Sequence, residues 1–146
     1  MQIMKKTIVV IAIMLAAVVT ASAGDRPVTF TQLPVAAQTF VTSNFPDVKV
    51  SYATVDDDFI RPDYNVVLAD GTKIQFDHSG SLEKVETKGG VPAGIVPVQI
   101  TDFVRLHYPD AAVIEYEIGR RSYDVKLSNR MELTFNKNWN LVEIDD

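Results

Sequence analysis

The chain has 146 residues, a formal net charge of −5, no cysteine, and 47% hydrophobic against 23% charged residues. Length excludes a multidomain enzyme, composition excludes intrinsic disorder, and the acidic balance excludes a nucleic-acid partner, whose phosphates call for a basic patch. Without cysteine there is no disulfide framework, thiolate nucleophile, zinc–thiolate centre or lipoprotein anchor.

The chain opens on an address. Lys5 and Lys6 precede an unbroken apolar run from Ile8 to Val19, and Ala21-Ser22-Ala23 follows with small residues. A positive start, a short apolar core and an A-x-A site describe a secretory signal. The run of twelve is well short of the roughly 20 apolar residues that cross a bilayer. The expectation is cleavage after Ala23, which removes two lysines and takes the net charge from −5 to −7. The product is expected in the periplasm, with no membrane attachment.

Next comes an internal repeat. The stretch from Leu33 to Asp47 matches Val96 to Asp110 at an offset of 63, with six of fifteen positions identical. A second block, Tyr64 to Val85, matches Tyr123 to Ile144 at an offset of 59, so the first copy carries four extra residues between Val55 and Tyr64. Apolar positions stay in phase through both blocks, which two copies of one unit explain. The organisation is read as signal peptide 1–23, first repeat 24–86, a Gly/Pro connector 87–95, and second repeat 96–146.

Each copy begins with a helix pattern: Leu33, Ala36, Ala37, Phe40 and Val41, then Val96, Ile100, Phe103 and Val104. Pro34 and Pro97 fit a first helical turn, while Pro46 and Pro109 stop the helices by pushing the preceding residue out of the α region. Four strand patterns follow each helix. They run over Lys49–Val55, Asp63–Ala69, Thr72–Asp77 and Ser81–Glu86, then Ala112–Ile118, Ser122–Ser128, Met131–Asn136 and Asn140–Ile144. Asp70-Gly71 and Ser79-Gly80 mark tight hairpins, with Asn129-Arg130 and Asn138-Trp139-Asn140 in the corresponding places. Thr87 to Ile95, with three glycines and Pro92, reads as a flexible crossover.

The class is therefore α+β: one helix on a four-stranded antiparallel meander, made twice, the two sheets joined into one eight-stranded sheet with a free face. Phe40 and Phe103 are expected to bury against Tyr64, Val66, Leu68, Ile74, Phe76 and their counterparts. The opposite face carries Asn65, Lys73, Gln75 and Asp77, then Asp124, Lys126, Glu132, Thr134 and Asn136. Such an uncovered sheet is either solvated exterior or a docking surface.

The sequence assembles no catalytic constellation. His78 and His107 occupy non-equivalent places without a second histidine or cysteine nearby, and no nucleophile elbow or phosphate loop is present. A non-enzyme with no organic cofactor is expected. Asp56, Asp57 and Asp58, with Asp63 behind them, repel one another, and calcium would relieve that repulsion, although the spacing is not that of an EF-hand. Phe59, Ile60 and Arg61 continue the same loop, with Arg120, Arg121 and Trp139 in turns of the second copy. Aromatic and arginine side chains at loop tips are the types that anchor interfaces. Together with the face residues Lys73, Gln75, Lys126 and Thr134, they are the expected partner contacts; burial against a neighbouring strand is the alternative for Trp139.

Phe45-Pro46-Asp47 and Tyr108-Pro109-Asp110 close the helices, and Asp70-Gly71 and Ser79-Gly80 turn the meander. Behind a signal peptide, this pattern resembles the PepSY-like bacterial periplasmic proteins, whose fold is similar to that of β-lactamase inhibitor protein. The resemblance covers the chain from about Thr31 to Asp146. It implies a sheet with a concave free face and an inhibitory or protein-binding role, without supplying a target. The expected function is a non-enzymatic periplasmic module, a protein inhibitor that docks an envelope protein; a calcium-responsive protein acting through the Asp56–Asp58 loop is the alternative.

Overall fold

The computed structural model describes residues 25–57 and 60–146. The expected signal segment 1–23 with its cut after Ala23 lies outside the described residues, as do Asp58 and Phe59. Two helices form where the apolar spacing places them: α1 (Val35–Asn44) and α2 (Val98–His107). Pro34 and Pro97 stand one residue earlier than expected, at the cap itself, with ψ of 145° and 143°. That position needs an extended backbone, and a missing N–H costs nothing there. At the other end, Phe45 and Tyr108 leave the helix with nearly equal angles, as residues before proline do.

The sheet has nine strands, not the eight expected. They are β1 (Asp25–Val28), β2 (Val50–Asp56), β3 (Asp63–Leu68), β4 (Lys73–Phe76), β5 (Leu82–Glu86), β6 (Val113–Ile118), β7 (Ser122–Leu127), β8 (Glu132–Asn136) and β9 (Leu141–Asp145). All are antiparallel and lie in chain order. The additional strand is β1, which lines the outer edge of β2 from Asp25 opposite Asp56 to Val28 opposite Ala53. Four residues with a proline carry no readable alternation. Pro27 is tolerated because an edge strand has a side that donates to nobody. A 3-10 turn, Phe30–Gln32, follows and leads the chain down to α1.

Both helices cover the same side of the sheet. Under α1 lie Ala53, Val66, Leu68, Ile74, Phe76 and Val85; under α2 lie Tyr116, Val125, Leu127, Leu133 and Phe135. The expected phenylalanine contacts form: Phe40 meets Phe76 edge-on at 5.5 Å, and Phe103 meets Phe135 edge-on at 5.3 Å. Leu82, Val91 and Ile95 pack against both clusters, so the two cores share a wall. At the middle of the sheet β5 pairs directly with β6, with Lys84 opposite Glu117 and Glu86 opposite Glu115.

The connector 87–95 is tied down, contrary to its reading as a flexible crossover. The amide of Thr87 donates to the Ile114 carbonyl at 2.7 Å, and that of Val91 to the Val113 carbonyl at 2.7 Å. Gly90 serves local geometry there: it has φ +136° and its amide donates to the Thr87 hydroxyl at 3.0 Å.

Side-chain acceptors shape the turns. Asp77 Oδ1 accepts from the amides of Ser79 and Ser81, and Asn136 Oδ1 from those of Asn138 and Asn140. Asp70 and Asn129 likewise accept from the amides of Thr72 and Met131. Such short polar side chains close a turn on their own backbone.

Candidate docking face

Because side chains alternate along a strand, burying one face of β2 to β9 under the helices presents the other outward. Among the described residues no helix or strand covers that second face. Cross-strand register arranges it in rows. One row runs Tyr52, Val67, Lys73, Glu86, Glu115, Lys126, Glu132; the next runs Thr54, Asn65, Gln75, Lys84, Glu117, Asp124, Thr134. Lys73, Gln75, Lys126 and Thr134, expected as partner contacts, all fall on these rows. Two shallow hollows mark the surface. One, of about 350 Å³, includes Tyr52, Thr54, Asn65, Lys73, Gln75 and Lys84; the other, of about 250 Å³, is lined by Glu115, Glu117, Asp124, Lys126, Glu132 and Thr134.

Lys84 holds the junction of the face. Its ammonium reaches Glu115 at 2.8 Å and Glu86 at 3.0 Å, and these hydrogen bonds raise its pKa above the usual lysine range. The same ammonium holds the Glu86 carboxyl below its ordinary range. A bulge between β4 and β5 displaces the alternation at Glu83, because Gln75 opposes Lys84 while Phe76 opposes Leu82. Partial burial, then the charges of Asp63, Asp77 and Glu117, push the Glu83 carboxyl up to about 7. Asp77 differs. Its burial also works against ionisation, but hydrogen bonds from Ser79 and Ser81 prevail and leave it below the ordinary range.

The antiparallel order gathers the connections after β2, β4, β6 and β8 at one end of the sheet. Ile60, Arg61, Arg120 and Arg121 are exposed there. Trp139 is at the same end but turns toward the helix side, stacked on Tyr123 with ring centroids 4.7 Å apart. Lys137 lies over the Tyr123 ring at 3.8 Å and donates to the Gly119 carbonyl, tying two of these turns together. Of the acidic loop, Asp57 accepts from Arg26 Nε at 2.8 Å, while Asp25, Asp56 and Asp63 lie opposite one another on β1, β2 and β3. Among the described residues no three His, Cys, Asp or Glu side chains converge to hold a metal ion. His78 is exposed in its turn, and the His107 ring packs on Phe103 at 4.3 Å.

Sequence reading missed Tyr52, Thr54, Lys84, Glu86, Glu115 and Glu117 as members of the face. Alternation with Ala53, Val55 and Tyr116 signals four of them. The bulge at Glu83, which decides Lys84, leaves no mark in the pattern.

The family model described as "Putative beta-lactamase-inhibitor-like, PepSY-like" matches residues 62–143. Among solved structures, the chain is 41% identical to "a putative calcium-regulated periplasmic protein" from Bacteroides thetaiotaomicron, with a TM-score of 0.80, covering 84% of this chain and 97% of the other. A "putative periplasmic protein" of the DUF2874 family from Bacteroides vulgatus is 37% identical, with a TM-score of 0.82 over 86% of this chain and 100% of the other. Another from Bacteroides vulgatus, of unknown function, is 28% identical, with a TM-score of 0.79 over 84% and 100%. The search of curated proteins returns no match. The structural neighbours are thus periplasmic proteins, and among the described residues no helix is long and apolar enough to cross a membrane.

Proposed function

The chain belongs to the PepSY-like family, and on that premise we propose that it is a non-enzymatic periplasmic module that docks an envelope protein, as an inhibitor, through the helix-free sheet face and the loops at its end. The observation that carries this reading is the continuous face of nine strands, hollowed and polar, with both helices on the other side. A sheet face without a covering layer is open for a second molecule to dock on. The inhibitor-like description of the family supports the same role. Secretion by the N-terminal segment, with cleavage after Ala23, brings the face to its partner.

The same proposal takes the two halves as a duplicated unit. Positive φ recurs at corresponding turn positions, Gly71 with Arg130 and Gly80 with Trp139, and the two helices share their cap angles. Two like units side by side double the breadth of one face.

Affinity capture from periplasmic extract tests the docking. The native chain is expected to retain a partner that Gln75→Arg with Thr134→Arg releases, while Thr39→Arg on the exposed side of α1 retains it. Equal retention by all three overturns the proposal.

A second reading, a calcium response through Asp56, Asp57, Asp58 and Asp63, is favoured by the name of the 41% identical neighbour. Calcium would compete with Arg26 for Asp57. A rise in Tm at millimolar calcium, lost in Asp57→Asn and Asp63→Asn, supports it; an unchanged Tm refutes it.

A further inference from the structure

We infer that the β6–β9 half of the free face receives lysine or arginine side chains of a cationic polypeptide, an inference that rests on the docking reading above. Matching positions of the two halves differ in charge. In the first half the rows Tyr52–Val67–Lys73–Glu86 and Thr54–Asn65–Gln75–Lys84 hold two lysines and one carboxylate. In the second half the rows Glu115–Lys126–Glu132–Asp145 and Glu117–Asp124–Thr134–Glu143 hold six carboxylates and one lysine.

The register sets like charges directly opposite one another: Glu86 and Glu115, Glu117 and Asp124, Glu132 and Asp145. Opposed like charges weaken a sheet. Folding does not demand them in these two rows, since the matching positions of β2 to β4 hold neutral side chains or Lys73. Internal cations relieve the repulsion only at the rim of the half: Lys84 holds Glu115 at 2.8 Å, whereas Lys126 comes no nearer Glu132 than 3.9 Å. Asp124 is oriented by the Thr134 hydroxyl at 2.7 Å, which supplies no charge. Glu117 is exposed and, among the described residues, has no cation within 4.0 Å.

The hollow of about 250 Å³ between these groups fits the extended end of a lysine or arginine. Carboxylates spread along strand rows are separated by roughly 4.5–5.5 Å, a spacing that suits successive cationic side chains better than one small ion. A divalent ion would need three converging ligands, which the described residues do not form. A second copy would approach with its own net charge, −7 once cleavage after Ala23 has removed two lysines.

The test uses the secreted chain, purified from the periplasm and titrated with an eight-residue Arg-Ser repeat peptide while backbone amides are followed by NMR. Shifts are expected at 115–117, 124–126 and 132–134, with affinity falling at least tenfold in Glu117→Gln/Asp124→Asn/Glu132→Gln. A control of equal charge change, Asp47→Asn/Asp102→Asn/Asp110→Asn, is expected to bind as the native chain does. Equal loss in both variants, or shifts spread over all acidic surfaces, overturns the inference, as does a dimer that only the face variant dissolves. In the capture experiment, a partner released by Gln75→Arg/Thr134→Arg but retained by the face-charge variant overturns the cationic partner and leaves docking standing; no release by either overturns docking itself.

Discussion

Gly80→Ala isolates the contact between the β4–β5 turn and the start of α1. Gly80 has φ +89°, where an L-residue costs about 1–2 kcal/mol. A methyl group there would also lie 2.8 Å from Pro34 Cβ, 3.0 Å from the Ala37 amide nitrogen and 3.2 Å from Ala36 Cβ. These atoms are backbone or stubs on it, so the helix itself must shift, a strain of about 1–3 kcal/mol. Gly71→Ala is the internal control. Its φ is +91°, but its new methyl group would meet only the end of the Lys88 side chain, which swings aside. The backbone cost and the gain from a stiffer unfolded chain are then common to both variants. Urea denaturation followed by circular dichroism is expected to show Gly80→Ala less stable than Gly71→Ala by about 1–3 kcal/mol. A difference below about 0.5 kcal/mol would refute the tight seating of α1 on this turn.

Other perturbations have defined directions. Glu83, raised to about 7 from 4.5, binds its proton more tightly in the folded chain, so its contribution is full below pH 4.5 and lost as pH rises through 7; Glu83→Gln is expected to melt higher than the native chain at pH 8 and to lose that advantage at pH 4.5. Lys84→Met leaves Glu86 facing Glu115 across the central strand pair; chemical denaturation is expected to show a loss of about 1–2 kcal/mol at pH 7, shrinking near pH 4 as the carboxyls take up protons. Trp139→Ala loses the stack on Tyr123 and keeps the unfavourable φ of +68°. A cost of about 1–2 kcal/mol is expected in urea melts, and less for Trp139→Gly, which relieves the backbone.

Much of this architecture is legible in the sequence because hydrophobic period and turn chemistry agree there. The prolines bracket both helices, and eight strands emerge within two residues of their expected limits. β1 escapes because its four residues carry no pattern and exist as a strand only by pairing with β2. The ordered connector escapes because its anchoring carbonyls belong to β6, far along the chain. The free face is readable as alternation, yet its charge geometry depends on which strands are neighbours. Glu83 meets Asp63, Asp77 and Glu117 only because a bulge and two strand pairings bring them together. Trp139 looks like a loop-tip anchor until the left-handed turn aims it at Tyr123.

Site-specific photo-crosslinking in living cells puts the docking face to its most direct test, with benzoyl-phenylalanine placed at Gln75 or Thr134 on the free face and at Thr39 or Asp102 on the helices. A discrete protein adduct from the two sheet positions and none from the two helix positions is the predicted result. Adducts from the helices alone, or none from the sheet, would contradict it.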